Sequence, residues 1–195
     1  MTDTQVITPE FRVSYPKVFR PERNDLNGRD EYSLTALFTK GADLAKLKAA
    51  VKAAAEKKWG TDQKKWPKNL RSPFRDQAER AKTDDDDNEY LPDGYEAGAI
   101  FINMKSTKKP GLVDAKNEDI IDDADFYGGC YARAQVNASA YDHKGNTGVA
   151  LYLNHVQKLR DGESFGSATR NASDVFEAVS DGGGESGKSG GGVFD

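Results

Sequence analysis

From Cys130 to Ala140 every second residue is small and apolar: Cys130, Ala132, Ala134, Val136, Ala138 and Ala140. The positions between them are Tyr131, Arg133, Gln135, Asn137, Ser139 and Tyr141. A sustained period of two is the mark of a strand with one buried face. After the turn Asp142-His143-Lys144-Gly145-Asn146, Val149, Leu151 and Leu153 alternate with Ala150, Tyr152 and Asn154, which predicts an antiparallel hairpin. The same period appears at Phe11, Val13 and Tyr15, at Tyr32 to Phe38, and at Ile100, Ile102 and Met104. Pro21 and residues 24–28 mark a loop or hairpin between the first two of these segments.

One helix interrupts the series. Asp43 can cap it, Leu44, Leu47, Val51 and Ala54 form an apolar stripe, and Gly60 closes it. Residues 61–95 show no clean period and read as a long, partly helical insertion, while residues 108–125 read as loop around Pro110-Gly111. About five strands with mostly antiparallel neighbours, and a helix after the second, predict a mainly β fold: an OB-like five-stranded Greek-key barrel. It occupies residues 1–172, with an insertion at about 40–95. Residues 173–195 are a tail. From Gly182 to Gly192 the tail reads GGGESGKSGGG, too polar and glycine-rich to offset its backbone entropy by burial, so a flexible, disordered tether is expected.

The formal net charge of −4 would argue mildly against a polyanionic partner. Its distribution removes that argument. Residues 1–172 sum to zero and the tail carries the whole excess. Within the domain, residues 40–82 hold 13 basic and 5 acidic side chains, and residues 83–104 hold no basic and 7 acidic ones. No apolar run approaches the roughly 18 residues of a membrane span. The single cysteine, Cys130, excludes an internal disulfide and any cysteine-built zinc site, and suits a reducing cytoplasm.

Catalytic constellations are not evident. His143 and His155 lack metal-ligand spacing, and no phosphate loop, G-x-S-x-G or H-E-x-x-H is present. Asp84 to Asp87 with Asp114, Asp122, Asp123 and Asp125 could in principle build a two-metal nuclease site. Solvated loop acids are the alternative. No cofactor and no metal are expected, and the protein reads as non-enzymatic.

Binding chemistry is better represented. Tyr131, Arg133, Asn137 and Tyr141 share one strand face, Tyr152 lies on the next strand, and Phe101 and Lys105 repeat the pattern on a third. Such rows offer stacking faces for bases and cations for phosphates. Alternatively, Tyr131 and Tyr141 pair across a half-buried sheet, or the insertion covers them. The basic segment adds Lys57, Lys58, Lys64, Lys65, Lys68, Arg71, Arg75, Arg80 and Lys82, interleaved with Trp59, Trp66 and Phe74. It could line a groove, or be neutralised by the acidic stretch that follows. Of these, Lys64, Lys65, Trp66, Lys68, Arg71 and Arg75 are taken as site residues, together with Lys108 and Lys109. At the end of the tail, Phe194 beside Asp195 offers one apolar anchor with negative charge, a short recognition peptide in form.

From about Phe11 to Ser167 the sequence resembles a family of bacteriophage single-stranded DNA-binding proteins. The likeness is carried by FRVSYP at 11–16, YSLTALF at 32–38, KPGLVD at 109–114, FYGGCYA at 126–132, GVAL at 148–151 and QKLRDGE at 157–163. The resemblance implies an OB-type barrel that coats and protects transient single strands during phage replication or recombination, in the cytoplasm of the infected bacterium. Many such proteins end in a flexible acidic tail whose aromatic tip recruits replication enzymes and competes with DNA, and Phe194 is similar in kind. This tail departs from that pattern in being only weakly acidic and in having its phenylalanine penultimate. A metal-dependent nuclease, and an adaptor working mainly through its tail, are the alternative functions.

Overall fold

The hairpin expected at residues 130–154 is longer than its alternation suggested. In the computed structural model, which describes residues 3–25, 27–143 and 145–165, it pairs Tyr131–His143 with Asn146–Arg160. The strands in chain order are β1 (Gln5–Ile7), β2 (Phe11–Asn24), β3 (Arg29–Leu37), β4 (Arg75–Asp76), β5 (Lys82–Thr83), β6 (Glu89–Tyr90), β7 (Ile100–Ser106), β8 (Gly111–Val113), β9 (Tyr131–His143) and β10 (Asn146–Arg160). The helix α1 spans Ala45–Trp59, between β3 and β4.

Five of these strands close a ring. β2 pairs with β3, β3 with β7, β7 with β10, β10 with β9, and β9 returns to β2. All contacts are antiparallel except β7 with β10, which is parallel. The small row of β9 explains the tight closure. Ala132, Ala134, Val136 and Ala138 are buried where the barrel has room for little, and Phe11, Leu34, Met104, Leu151 and Leu153 supply bulk from the other strands.

Leu47, Ala50, Ala54 and Ala55 are buried on α1, which packs on β9, β10 and β1. The buried face is thus centred on Ala50 more than on Val51, which is only half-buried. Asp43 accepts a hydrogen bond from the Ala45 N–H at 2.9 Å, and Gly60, at φ 82°, closes the helix. Among the described residues no helix is long and apolar enough to cross a membrane.

One expectation is corrected and a second is refined. Residues 108–125 are not all loop, because Gly111–Val113 forms β8 and runs parallel to His155–Gln157 of β10. The insertion after α1 is partly helical as expected, but in short 3-10 turns and not α-helix. It holds 3-10 turns at Gln63–Lys65 and Gln77–Arg80 and the hairpin β5–β6. Its two prolines and scattered aromatics do not support a continuous helix. It is anchored where Arg75 and Asp76 pair with Phe101 and Ile100, and where the buried Gln77 amide donates to the Phe38 and Ile100 carbonyls at 2.9 and 3.0 Å. The tail, with Phe194 and Asp195, lies outside the described residues.

Candidate nucleic-acid interface

The outer face of β3 and β7 carries Ser33, Thr35, Asn103 and Lys105, in the registers Ser33 to Lys105 and Thr35 to Asn103. Thr35 donates to the Asn103 side chain at 2.8 Å. With Lys17 and Arg23 of β2 and with Arg80 of the insertion, this face forms a groove of about 430 Å³. Glu31 lies on its floor, accepting hydrogen bonds from Asn24 at 2.7 Å, Asn27 at 3.0 Å and Lys105 at 3.2 Å. Burial alone would push its carboxyl up, but the two asparagine donors and the Lys105 ammonium outweigh that and hold it below the usual carboxylate value.

A second basin of about 450 Å³ shares Tyr15 with the first as a lining residue. It is bounded by Lys82, Tyr90, Tyr95 and Phe165. Tyr15 and Tyr90 are 53% and 48% exposed, so their rings are free to stack. The Tyr95 hydroxyl shares a 3.2 Å hydrogen bond with Ser14, and burial raises its pKa. Tyr15 adopts φ 46°, at the register shift between Ser14 and Lys17. A bulky side chain in the left-handed region is rare, and such strain concentrates at working sites.

The floor of the second basin is built by the end of the described chain. Phe165 reaches back over Gly128 and Gly94, and its N–H donates to the Gly128 carbonyl at 2.9 Å. The Arg12 guanidinium lies 4.3 Å from the Phe165 ring centroid and donates to the Glu163 carbonyl at 2.6 Å. Gly129, at φ 112°, is the point of closest approach, since a Cβ there would overlap the Glu163 carbonyl oxygen.

The site residues expected from the sequence fall into three groups. Lys105 lies in the groove, and Tyr152, 37% exposed, stands in one cross-strand row between Lys105 and Asn137. Asn137 itself accepts from the Thr4 hydroxyl at 3.0 Å. A second group is used for packing. Tyr131 is held by Arg160, 3.3 Å from its ring centroid, and by Arg12 at 5.4 Å. Arg133 donates to Gln157 at 2.8 Å, and Tyr141 lies across Gly148. Trp66 donates to the Gly60 carbonyl at 2.8 Å and packs on Trp59.

Phe101 is a correction. It is 0% exposed, under the Arg75 and Arg80 guanidiniums at 5.2 and 4.8 Å, so it cannot stack on a base in this conformation. The β7 face on which it sits is outward in the barrel but roofed by the insertion. Arg75 is also ion-paired with Glu79. The third group, Lys64, Lys65, Lys68, Arg71, Lys108 and Lys109, is exposed but does not line the groove. Lys65 lies 3.8 Å from Asp62, and the Arg71 backbone bridges to Thr147 and Val149.

Sequence reasoning did not single out Tyr15, Tyr90 or Tyr95, and counted Arg80 and Lys82 only as part of a basic segment. Tyr15 continues the buried alternation of Phe11 and Val13, and only the irregularity before Lys17 turns it outward. Tyr90 and Tyr95 lie in a segment without a period.

The acidic residues do not converge. Among the described residues no group of three or more histidine, cysteine or acidic side chains is placed to hold a metal ion. Asp84, Asp114 and Asp122 each accept backbone N–H groups of their own loops. Cys130 is buried, which raises its pKa and leaves it a packing residue.

The fold and sequence have known relatives. Among solved structures, the chain is similar to the single-stranded DNA-binding protein of bacteriophage Enc34 in complex with single-stranded DNA. The TM-score is 0.65 at 19% identity, covering 85% of this chain and 91% of that one. Gp2.5, a single-stranded DNA-binding protein of bacteriophage T7, is similar with a TM-score of 0.57 at 14% identity, covering 93% and 98%. The putative protein p50 of Acyrthosiphon pisum secondary endosymbiont phage 1 is 30% identical over 157 residues, 79% of this chain and 82% of that protein. A family model described as "Enterobacter phage Enc34, ssDNA-binding protein" matches residues 4–185. A closed barrel, a groove with exposed tyrosines and cations, and a match over nearly the whole chain agree: the protein belongs to the phage Enc34 single-stranded DNA-binding protein family.

Proposed function

We propose that this protein binds single-stranded DNA without strong sequence preference, in the groove that runs from Tyr90 and Tyr95 past Tyr15 to Arg80, Asn103 and Lys105. The observation that carries the reading is the exposed Tyr15, which lines both basins. Exposed rings stack on any base, and Lys17, Arg23, Arg80, Lys82 and Lys105 supply positive charge for the backbone. The groove lies on the face of the second and third barrel strands, where this fold class takes oligonucleotides. Tyr152 and Asn137 extend the surface beyond Lys105.

Such a protein coats and protects single strands during phage DNA replication or recombination inside the infected bacterial cell, without catalysing a reaction. The tail, ending in Phe194 and Asp195, is a candidate contact for replication or recombination proteins.

The test is a titration of labelled oligothymidine into the full chain over a salt series. Binding at low salt that weakens linearly in log–log form with rising salt supports the reading, through release of counterions from the DNA. No binding at low salt overturns it, and cleavage of the oligonucleotide in magnesium or manganese would replace it with the nuclease.

A further inference from the structure

Three of the eight tyrosines are exposed, and the groove accounts for two of them, Tyr15 and Tyr90. The third is Tyr152 of β10. Register joins it to the groove. Tyr152 stands opposite Lys105 of β7 on one side and opposite Asn137 of β9 on the other. All three point away from the barrel, because their chain neighbours Met104, Leu151, Leu153, Val136 and Ala138 are buried. Lys105 lines the groove. Neighbouring strands lie about 4.8 Å apart, so Tyr152 is one strand beyond the groove wall and Asn137 about 10 Å from Lys105.

Past Asn137 the surface dips into a depression of about 270 Å³, which Lys57, Lys58 and Ser139 also line. Lys57 and Lys58 belong to the last turn of α1 and are exposed. Basic residues in that turn complement the negative end of the helix dipole, which amounts to about half a charge. Two ammoniums exceed it. The Gly60 carbonyl at this end already accepts from the Trp66 indole N–H at 2.8 Å, and Glu56 is paired with Lys52 at 3.6 Å. Among the described residues neither Lys57 nor Lys58 has an ion-pair partner, so surplus positive charge faces the depression. An exposed ring with two cations beside it repeats, one strand over, the chemistry of the groove.

We propose a second single-strand subsite on this side of the barrel: Tyr152 stacks on a base, Lys57 and Lys58 contact phosphates, and Lys105 is the contact shared with the groove. This rests on the groove being the DNA site. Its occupant is the same strand of DNA, which then runs across the barrel from β2 over β3, β7 and β10 to β9. A short oligonucleotide fills the groove, where rings and cations are more numerous, and only a longer one reaches Tyr152 and the lysines.

The test compares an oligothymidine of about 16 nucleotides with the shortest one that the wild type binds, since single barrels of this type cover about 4–16 nucleotides. Anisotropy with the full chain gives Kd for both. For the longer one Tyr152→Ala should raise Kd about fivefold or more, while Tyr152→Phe, which keeps the ring, should stay within about twofold of wild type. Lys57→Gln with Lys58→Gln should lower the slope of log affinity against log salt by about 1.4, for two phosphate contacts of about 0.7 each. A control pair, Lys46→Gln with Lys48→Gln, removes the same charge from exposed positions near the start of the helix and should leave that slope unchanged. The short oligonucleotide should bind all these variants as it binds the wild type. An unchanged Kd of the longer oligonucleotide for Tyr152→Ala, an equal loss at both lengths, or an unchanged slope for the Lys57 and Lys58 pair overturns the proposal. Tyr15→Ala separates this from failure of the groove: it should weaken binding at both lengths, and if it weakens neither, the groove reading falls whatever Tyr152 does.

Discussion

Replacing Tyr15 by alanine tests the groove at the residue its two basins share. The ring is 53% exposed and reaches both, so one base can stack on it without displacing a protein group. Base–aromatic stacking contributes about 1–3 kcal/mol per base by alanine substitution. At about 1.4 kcal/mol per tenfold, that raises Kd by roughly 5- to 150-fold. The backbone cost of φ 46° is carried by alanine as by tyrosine, so the folded state keeps its local geometry. Anisotropy of a fluorescein-labelled oligothymidine measures the change, and Tyr15→Phe serves as the control that retains the ring. Because no cation is removed, the slope of log affinity against log salt should stay constant. Lys82→Ala should instead lower that slope by about 0.7 if the ammonium meets one phosphate. A Kd within twofold of wild type for Tyr15→Ala, with Tyr131→Ala causing the larger loss, would refute the groove and restore the β9 face as the site.

Three further outcomes follow from packing and charge. Phe101→Ala should destabilise the fold by about 3–5 kcal/mol in urea denaturation, because it empties a fully buried position beneath two guanidiniums. Weakened DNA binding with unchanged stability would contradict that placement. Gly129→Ala should cost about 2 kcal/mol or more and expose residues 161–165 to limited proteolysis, since the new Cβ meets the Glu163 carbonyl in a backbone conformation that disfavours it. Glu31 has a folded-state pKa below its ordinary 4.5, so its ionised form contributes stability above that value, and the contribution is lost as pH falls through the lowered pKa. Glu31→Gln should therefore lose less stability than wild type between pH 5 and pH 3, read from urea midpoints. It should also bind single strands more tightly at pH 7, because Lys105 loses its ion-pair partner.

The barrel was legible because its evidence is local. The period of two at Cys130 to Ala140, at Phe11 to Val13 and at Tyr32 to Phe38 reports which side chains face inward, and the inward rows are buried except at their ends, where Tyr32 and Ala140 are half-buried. Periodicity is silent about what covers the outward rows. Phe101 and Lys105 lie two residues to either side of Asn103 on one outward face, yet the insertion roofs Phe101 and leaves Lys105 in the groove. Tyr131 and Tyr141 also face outward, and Arg160 and Gly148, brought opposite by β10, occupy them. The insertion itself has no period because its place is set by single anchors, such as the Gln77 amide on the Phe38 and Ile100 carbonyls. The glycine pair at 128–129 was visible only as part of a family block, and its reason is the passage of residues 163–165 beside it.

The chain by itself determined the five-stranded barrel and the helix after its second strand, since strand period is a property of neighbouring residues, while the class of ligand came from its likeness to a family of phage single-stranded DNA-binding proteins. Which aromatics and cations meet was decided only by tertiary structure. Tyr15, Tyr90 and Tyr95 come from segments up to 80 residues apart, joined by a bulge in β2 and a hairpin laid against the barrel. A binding groove is a relation between distant segments, and its residues take their roles from the closure that brings them together.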